Sequence, residues 1–149
     1  MMKLGVISDT HGVLHREVLD HLQGCDYILH AGDIDKLSVL ETLQEIAPVI
    51  AVRGNNDWGS WAGALPVRHR FTLDGVNFFM THDRNQTPKQ LGDVQAVIFG
   101  HSHQYFQQEI DGRLWLNPGS CGWPRFGRGL TMALLELPEL RVRQLVLER

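Results

Sequence analysis

Val94-Gln95-Ala96-Val97-Ile98-Phe99-Gly100-His101-Ser102-His103 carries an apolar run straight into two imidazoles spaced at i and i+2. The run reads as a strand, and in an extended segment that spacing points both rings to one side. Four further clusters obey the same rule, with metal-type side chains placed where an apolar run stops. They are Asp9-Thr10-His11, Gly32-Asp33, Gly54-Asn55-Asn56-Asp57 and Thr81-His82. In open α/β sheets, ligands gather beyond the carboxyl ends of the strands. Residues scattered between Asp9 and His103 are therefore expected to meet at one sheet edge. Gly32, Gly54 and Gly100 stand where the backbone must turn sharply or admit a close neighbour.

Outward from these clusters, the first third of the chain alternates strand and helix. Leu4–Ser8 reads as a strand, and Leu14, Val18, Leu19 and Leu22 mark one helix face. Asp26–His30 is a second strand. Leu37, Leu40, Leu43 and Ile46 mark a second helix, stopped near Pro48, and Pro48–Arg53 begins a third strand. Beyond it the pattern turns to hairpins. Asp74-Gly75 and Asp111-Gly112 each separate two apolar runs, and Pro138-Glu139 joins Leu130–Leu137 to Leu140–Leu147. Trp58–Leu65 reads as a loop, and Asn117-Pro118-Gly119-Ser120 as a turn. A parallel α/β beginning that passes into antiparallel hairpins predicts an α/β fold. Two mixed β-sheets pack as a sandwich with helices outside, and residues 1–149 form one domain.

With 43% apolar residues and a formal net charge of −3, the chain has the composition of a globular domain. No Lys/Arg block stands out, which argues against a dedicated nucleic-acid or membrane-surface binder. No apolar run approaches the ~18 residues of a membrane span, and the N-terminus has no signal-peptide pattern. Two isolated cysteines, Cys25 and Cys121, fit a reducing compartment, so the expected location is cytoplasmic. Exposed edge strands would permit a homodimer.

With Asp57 read as a turn acceptor and one of the two adjacent amides counted, the clusters offer two carboxylates, four imidazoles and one amide oxygen, too many donors for one four-coordinate ion. The absence of cysteine from these clusters argues against a structural zinc site. Mixed imidazole and carboxylate donors suit borderline divalent ions. The set fits two ions sharing one carboxylate, an arrangement suited to phosphoryl hydrolysis.

In this order, Asp-x-His, Gly-Asp, Gly-Asn-x-Asp, His and Gly-His-x-His resemble the calcineurin-like metallophosphoesterase superfamily. The lack of insertions and the stretch Asn117–Arg125 resemble its small single-domain prokaryotic phosphodiesterases. The resemblance implies a first metal on Asp9, His11 and His103, a second on Asn55, His82 and His101, and Asp33 bridging both. It implies a β-sandwich flanked by helices. The implied activity is hydrolysis of small phosphodiesters by a hydroxide bridging two divalent ions. Manganese is expected first, with nickel, iron, zinc or magnesium as alternatives.

Two positions depart from the family pattern. A histidine that often follows the metal-binding Asn is here Asn56, which donates a hydrogen bond but is no proton source at neutral pH. With Asn55 and His82, it completes the candidate catalytic set. Gly and His usually follow the ligand histidine, but here they are Asp83 and Arg84. Asp83 is a candidate to orient an imidazole, and Arg84 to clamp phosphate. Trp58 is a candidate to stack on a substrate ring. His30 is expected to pack near the site without ligating, and Asp57 to fix its own turn. The competing readings are a non-catalytic scaffold on the same fold, and a phosphomonoesterase or protein phosphatase.

Overall fold

The computed structural model describes residues 1–124 and 129–147, so Arg125 lies outside the described residues. The first half runs β1 (Met2–Ile7), α1 (Arg16–Leu22), β2 (Tyr27–His30), α2 (Leu37–Gln44), β3 (Val49–Ala51) and α3 (Ser60–Gly63). Next come β4 (Arg68–Leu73), β5 (Val76–Thr81), a 3-10 turn at Arg84–Gln86 and β6 (Ala96–Ile98). The chain closes with β7 (Phe106–Ile110), β8 (Arg113–Asn117), β9 (Thr131–Leu137) and β10 (Arg141–Val146).

These strands form two five-stranded sheets, β10-β9-β1-β2-β3 and β4-β5-β6-β8-β7. Both are mixed. β1, β2 and β3 pair in parallel, as do β5, β6 and β8, while hairpin partners run antiparallel. The parallel trio in each sheet points its carboxyl ends to loops that hold the site.

Period-two alternation sorts the side chains into layers. Leu4 and Val6 of β1 join Ala133 and Leu135 of β9 between the sheets, where they meet Phe78, Met80 and Ile98. Ile7, Met132 and Leu134 face the other way, onto Val18 and Leu22 of α1 and Val39, Leu40 and Leu43 of α2. The outer face of the second sheet carries Phe79, Val97 and Phe99, with Phe106 and Trp115 packed against them. There the Arg84 guanidinium stacks on the aromatics. Fully burying one such large side chain contributes roughly 2–3 kcal/mol.

Two local expectations are corrected. Trp58–Leu65 is not wholly loop, because Ser60–Gly63 closes one helical turn with Ala62 buried and Trp61 packed on the helix-side core. A single turn is too short to show periodicity. His101 and His103 are not on an extended strand either. β6 ends at Ile98, and the two residues sit at φ +77° and +62°. Among the described residues, no helix is long and apolar enough to cross a membrane.

Candidate metal centre

The strand-end clusters converge. Asp9, His11 and His103 bring ligand-type atoms within 4.8 Å of one another, and so do Asp9, Asp33 and His82. Asp9 belongs to both groups. Its Oδ2 accepts from the Ser8 hydroxyl at 2.7 Å and from the His101 backbone N–H at 3.1 Å. Its Oδ1 is buried with no hydrogen-bond partner. That oxygen lies 3.4 Å from His103 Nε2, 3.7 Å from His11 Nε2 and 3.8 Å from His82 Nε2. A buried carboxylate oxygen ringed by imidazole nitrogens is costly unless a cation occupies the centre, so the residues present fit divalent ions.

Two of the imidazoles, His82 and His11, are turned by the hydrogen bond on the other ring nitrogen. His82 Nδ1 donates to the Ala31 carbonyl at 2.8 Å, leaving Nε2 to face Asp33 Oδ2 at 3.1 Å. His11 Nδ1 lies 3.1 Å from Asp35 Oδ2, and its Nε2 lies 3.7 Å from Asp33 Oδ2 and 3.2 Å from His103 Nε2. Asp33 Oδ2 thus reaches imidazoles of both groups. His101 Nδ1 lies 3.3 Å from His82 Nε2. The two rings of the Gly100–His103 motif therefore part company, one beside His82 and the other stacked on His11 at 5.1 Å.

The electrostatics point the same way. Burial pushes the Asp33 carboxyl up, but the His82 imidazole, the Asn56 N–H and His11 together hold it well below the usual range. Asp9 is likewise lowered against its burial by the surrounding imidazoles and Ser8. Asp9 in turn raises His11, against burial and with help from Asp35. His82 is raised by the carboxylates despite its burial. A negative potential strong enough to draw protons onto buried imidazoles also draws divalent cations.

The loops bear unusual backbone. Asp9, His11, Asp33, His101 and His103 adopt left-handed conformations at φ +55°, +47°, +60°, +77° and +62°. Close approach also explains two glycines. A Cβ on Gly54 would strike the Asp33 backbone nitrogen and carboxylate, and one on Gly100 would strike the Ser8 hydroxyl.

The remaining candidates fall in different places. Asn55 lines a groove of about 300 Å³ with His82, His101 and Trp58. Asn56 is turned inward, donating from its backbone to Asp33 Oδ1 at 2.9 Å and from Nδ2 to Oδ2 at 3.2 Å. It steadies Asp33 instead of facing a leaving group. Asp83 accepts from the Asn85 N–H at 2.9 Å, capping the 3-10 turn, so the carbonyl of Ala31 orients His82 in its place. Arg84 stacks its guanidinium on Phe99, Phe106 and Trp115 at 5.3, 5.0 and 4.8 Å, so the rings engage the group expected to clamp phosphate. Trp58 is 70% exposed at the groove rim, with the Arg53 guanidinium 5.9 Å from its ring.

His30 is fully buried, with both ring nitrogens hydrogen-bonded within the protein. Gly32 N–H donates to its Nδ1 at 3.1 Å, which makes Nε2–H the donor to Thr10 Oγ1 at 3.0 Å. Asp57 does more than fix its own turn. Its carboxylate accepts four backbone N–H groups, from Asp33, Ile34, Asp35 and Gly54, at 2.8–3.0 Å.

Sequence reading missed the roles of Asp35 and Ser8, and marked Asn117 and Ser120 only as part of a turn. Asp35 had one signal, a second carboxylate two residues past Asp33. Asn117 Nδ2 donates to the Gly100 carbonyl and to Ser102 Oγ, both at 3.1 Å, and Ser120 donates to the Asp9 carbonyl at 2.8 Å. The Asn-Pro-Gly-Ser turn is therefore a brace beneath two ligand loops.

A family model, the calcineurin-like phosphoesterase superfamily domain, matches residues 2–139. Phosphodiesterase MJ0936 of Methanocaldococcus jannaschii is 29% identical over 167 residues, spanning 99% of this chain and 100% of that protein. The solved structure of a novel archaeal phosphodiesterase is similar at a TM-score of 0.86 and 28% identity, across 98% of this chain and 100% of the other. Vps29 of Chaetomium thermophilum shares the fold at a TM-score of 0.79 and 16% identity, across 98% and 96% of the two chains.

Proposed function

The chain belongs to the calcineurin-like phosphoesterase superfamily, and on that premise we propose that it is a dinuclear metal-dependent phosphodiesterase acting on small diesters. The observation that carries this reading is Asp9 Oδ1, buried, without a hydrogen bond and ringed by three imidazole nitrogens. In this reading Asp9, His11 and His103 hold one ion, Asn55, His82 and His101 hold the other, and Asp33 is shared. Two divalent cations bound there supply a water of lowered pKa and neutralise charge on phosphate oxygens. Manganese suits these donors, and nickel, iron, zinc and magnesium are the alternatives.

The chain's own residues do the positioning. Asp35 and the Ala31 carbonyl fix the rings of His11 and His82, and Asn56 and Asp57 fix the Asp33 loop. Asn55 lines the groove, and its amide N–H₂ would donate to a phosphate oxygen bound there. Asn56 has no proton to give at neutral pH, so esters with good leaving groups are favoured. The free, buried thiols of Cys25 and Cys121, the latter pushed up to about 12 by burial, support a cytoplasmic setting. The likeness to Vps29 concerns the fold, and a scaffold would gain nothing from leaving a buried carboxylate oxygen unpaired.

The test is metal reconstitution. Chelated protein is supplied with Mn²⁺, Ni²⁺, Mg²⁺ or Zn²⁺ and assayed on bis-p-nitrophenyl phosphate and p-nitrophenyl phosphate. Metal-dependent cleavage of the diester, faster than of the monoester and lost in Asp33→Ala, is expected. No activity above the Asp33→Ala control with any metal would overturn the reading.

A further inference from the structure

Two grooves meet at the candidate centre and share one wall, formed by His101 and Asp83. The first runs past Asn55, His82 and Trp58 and encloses about 300 Å³. The second runs past Phe106, Ser102 and Gln104 and encloses about 320 Å³. A phosphoryl group held against His82 and His101 therefore sits at the junction, with space on both sides of it.

The two spaces differ in chemistry. In the first, Trp58 leaves 70% of its surface in water, an unusual exposure for so large an apolar ring. Arg53 stands 5.9 Å from that ring and is itself tied through Nε to the Asp57 carbonyl at 3.1 Å. The indole is thus a supported platform of the kind on which a planar ring stacks. In the second groove the rings of Phe99 and Phe106 already carry the Arg84 guanidinium, at 5.3 and 5.0 Å. That groove is lined instead by polar side chains, among them Ser102, Asn85 and Gln104, and by a cation. Each groove thus has one arginine in its lining, Arg53 in the first and Arg84 in the second.

We infer that the substrate diester parts across His101, with an aromatic arm, nucleobase or aryl, over Trp58 and a polar arm in the groove past Ser102 and Gln104. This assignment rests on the phosphodiesterase reading. It predicts a preference for a diester, because a monoester fills only one groove.

The test uses zinc-loaded protein titrated with diphenyl phosphate, dimethyl phosphate and phenyl phosphate, followed by ligand NMR, alongside hydrolysis assays. Trp58 and Gln104 are both exposed, so their variants are expected to fold. Trp58→Ala weakens diphenyl phosphate about fivefold to tenfold and leaves dimethyl phosphate unchanged, and Trp58→Tyr restores most of the loss. Gln104→Trp, which fills the second groove, weakens diphenyl phosphate but not phenyl phosphate. Equal shifts for both ligands of either pair, or no shift, in an active enzyme would overturn the groove assignment alone. Wild-type protein that cleaves no diester with any metal would overturn the phosphodiesterase reading, and the grooves' substrate role with it.

Discussion

His11 owes its orientation to Asp35, a carboxylate 3.1 Å from its Nδ1 and part-exposed on the other side. Such partners fix ring direction and raise the basicity of the ligating nitrogen. Asp35→Ala is expected to weaken metal binding about 10-fold to 100-fold while changing stability little, because the lost contact lies near solvent. Metal titration beside urea unfolding checks both halves. His30 gives a prediction of the opposite kind. Burial pushes it down to about 4 from 6.5, so the folded protein keeps it neutral where the unfolded chain takes a proton. Stability therefore falls as pH drops from 6.5 toward 4, by roughly 3 kcal/mol from this residue. In chelated protein, His30→Gln keeps polar contacts for Gly32 and Thr10 but should shrink the loss measured between pH 7 and 4.5. An unchanged loss would exclude His30 as its source. At this scale the sequence showed the donors but not their supports. Asp9, His11 and Asp33 stand out because they end apolar runs, whereas Asp35 and Ser8 act through contacts that no local pattern marks.

Loops after β2 and β3 are locked together by one side chain. Asp57 accepts N–H groups from both, four in all, and is 1% exposed. Asp57→Asn replaces one acceptor oxygen with a donor aimed at other donors. Each unsatisfied buried group costs about 1–3 kcal/mol, so a loss of about 2–4 kcal/mol is expected, together with weakened metal binding by a residue that is not a ligand. Urea unfolding of the chelated variant measures the first and metal titration the second. A variant as stable as wild type would show that the loops do not depend on this carboxylate. Strands were the most legible elements, since period-two alternation survives in β1 and β9, whose opposite faces enter different cores. Asp74-Gly75 and Asp111-Gly112 likewise marked real hairpins. What stayed hidden was any element of a single turn, such as α3, and any bond between loops. Asp57 reaches Asp33 across 24 residues, a pairing set by the parallel order of β2 and β3 and not by either loop's composition.

Across the whole molecule, the apolar cores and the candidate metal ligands are built from different residues. Three apolar clusters hold the helices, the two sheets and the outer aromatic face, and none includes a candidate ligand. Removing metal should therefore leave a folded protein. Ions at about 100 times their dissociation constant add about 2.7 kcal/mol per site and about 5 kcal/mol for two, so chelation is expected to lower Tm by about 10–20 °C. The far-UV CD spectrum and a single cooperative transition are retained, and Asp33→Ala shows a smaller response. Collapse of the spectrum on chelation would mean that the ions are structural. The sandwich was readable from the sequence because parallel βα units give way to hairpins along the chain. The shared wall of the two grooves was not, because it arises only when β5 and β6 lie side by side.

Five donor residues hold left-handed backbone at Asp9, His11, Asp33, His101 and His103. Each such residue costs roughly 1–2 kcal/mol where glycine would cost little. A lineage released from the need to bind ions would gain stability by accepting glycine at these positions, so selection for folding alone erodes the site. Keeping all five is a standing expense, and glycines there in a descendant would be the first record of a lost catalyst.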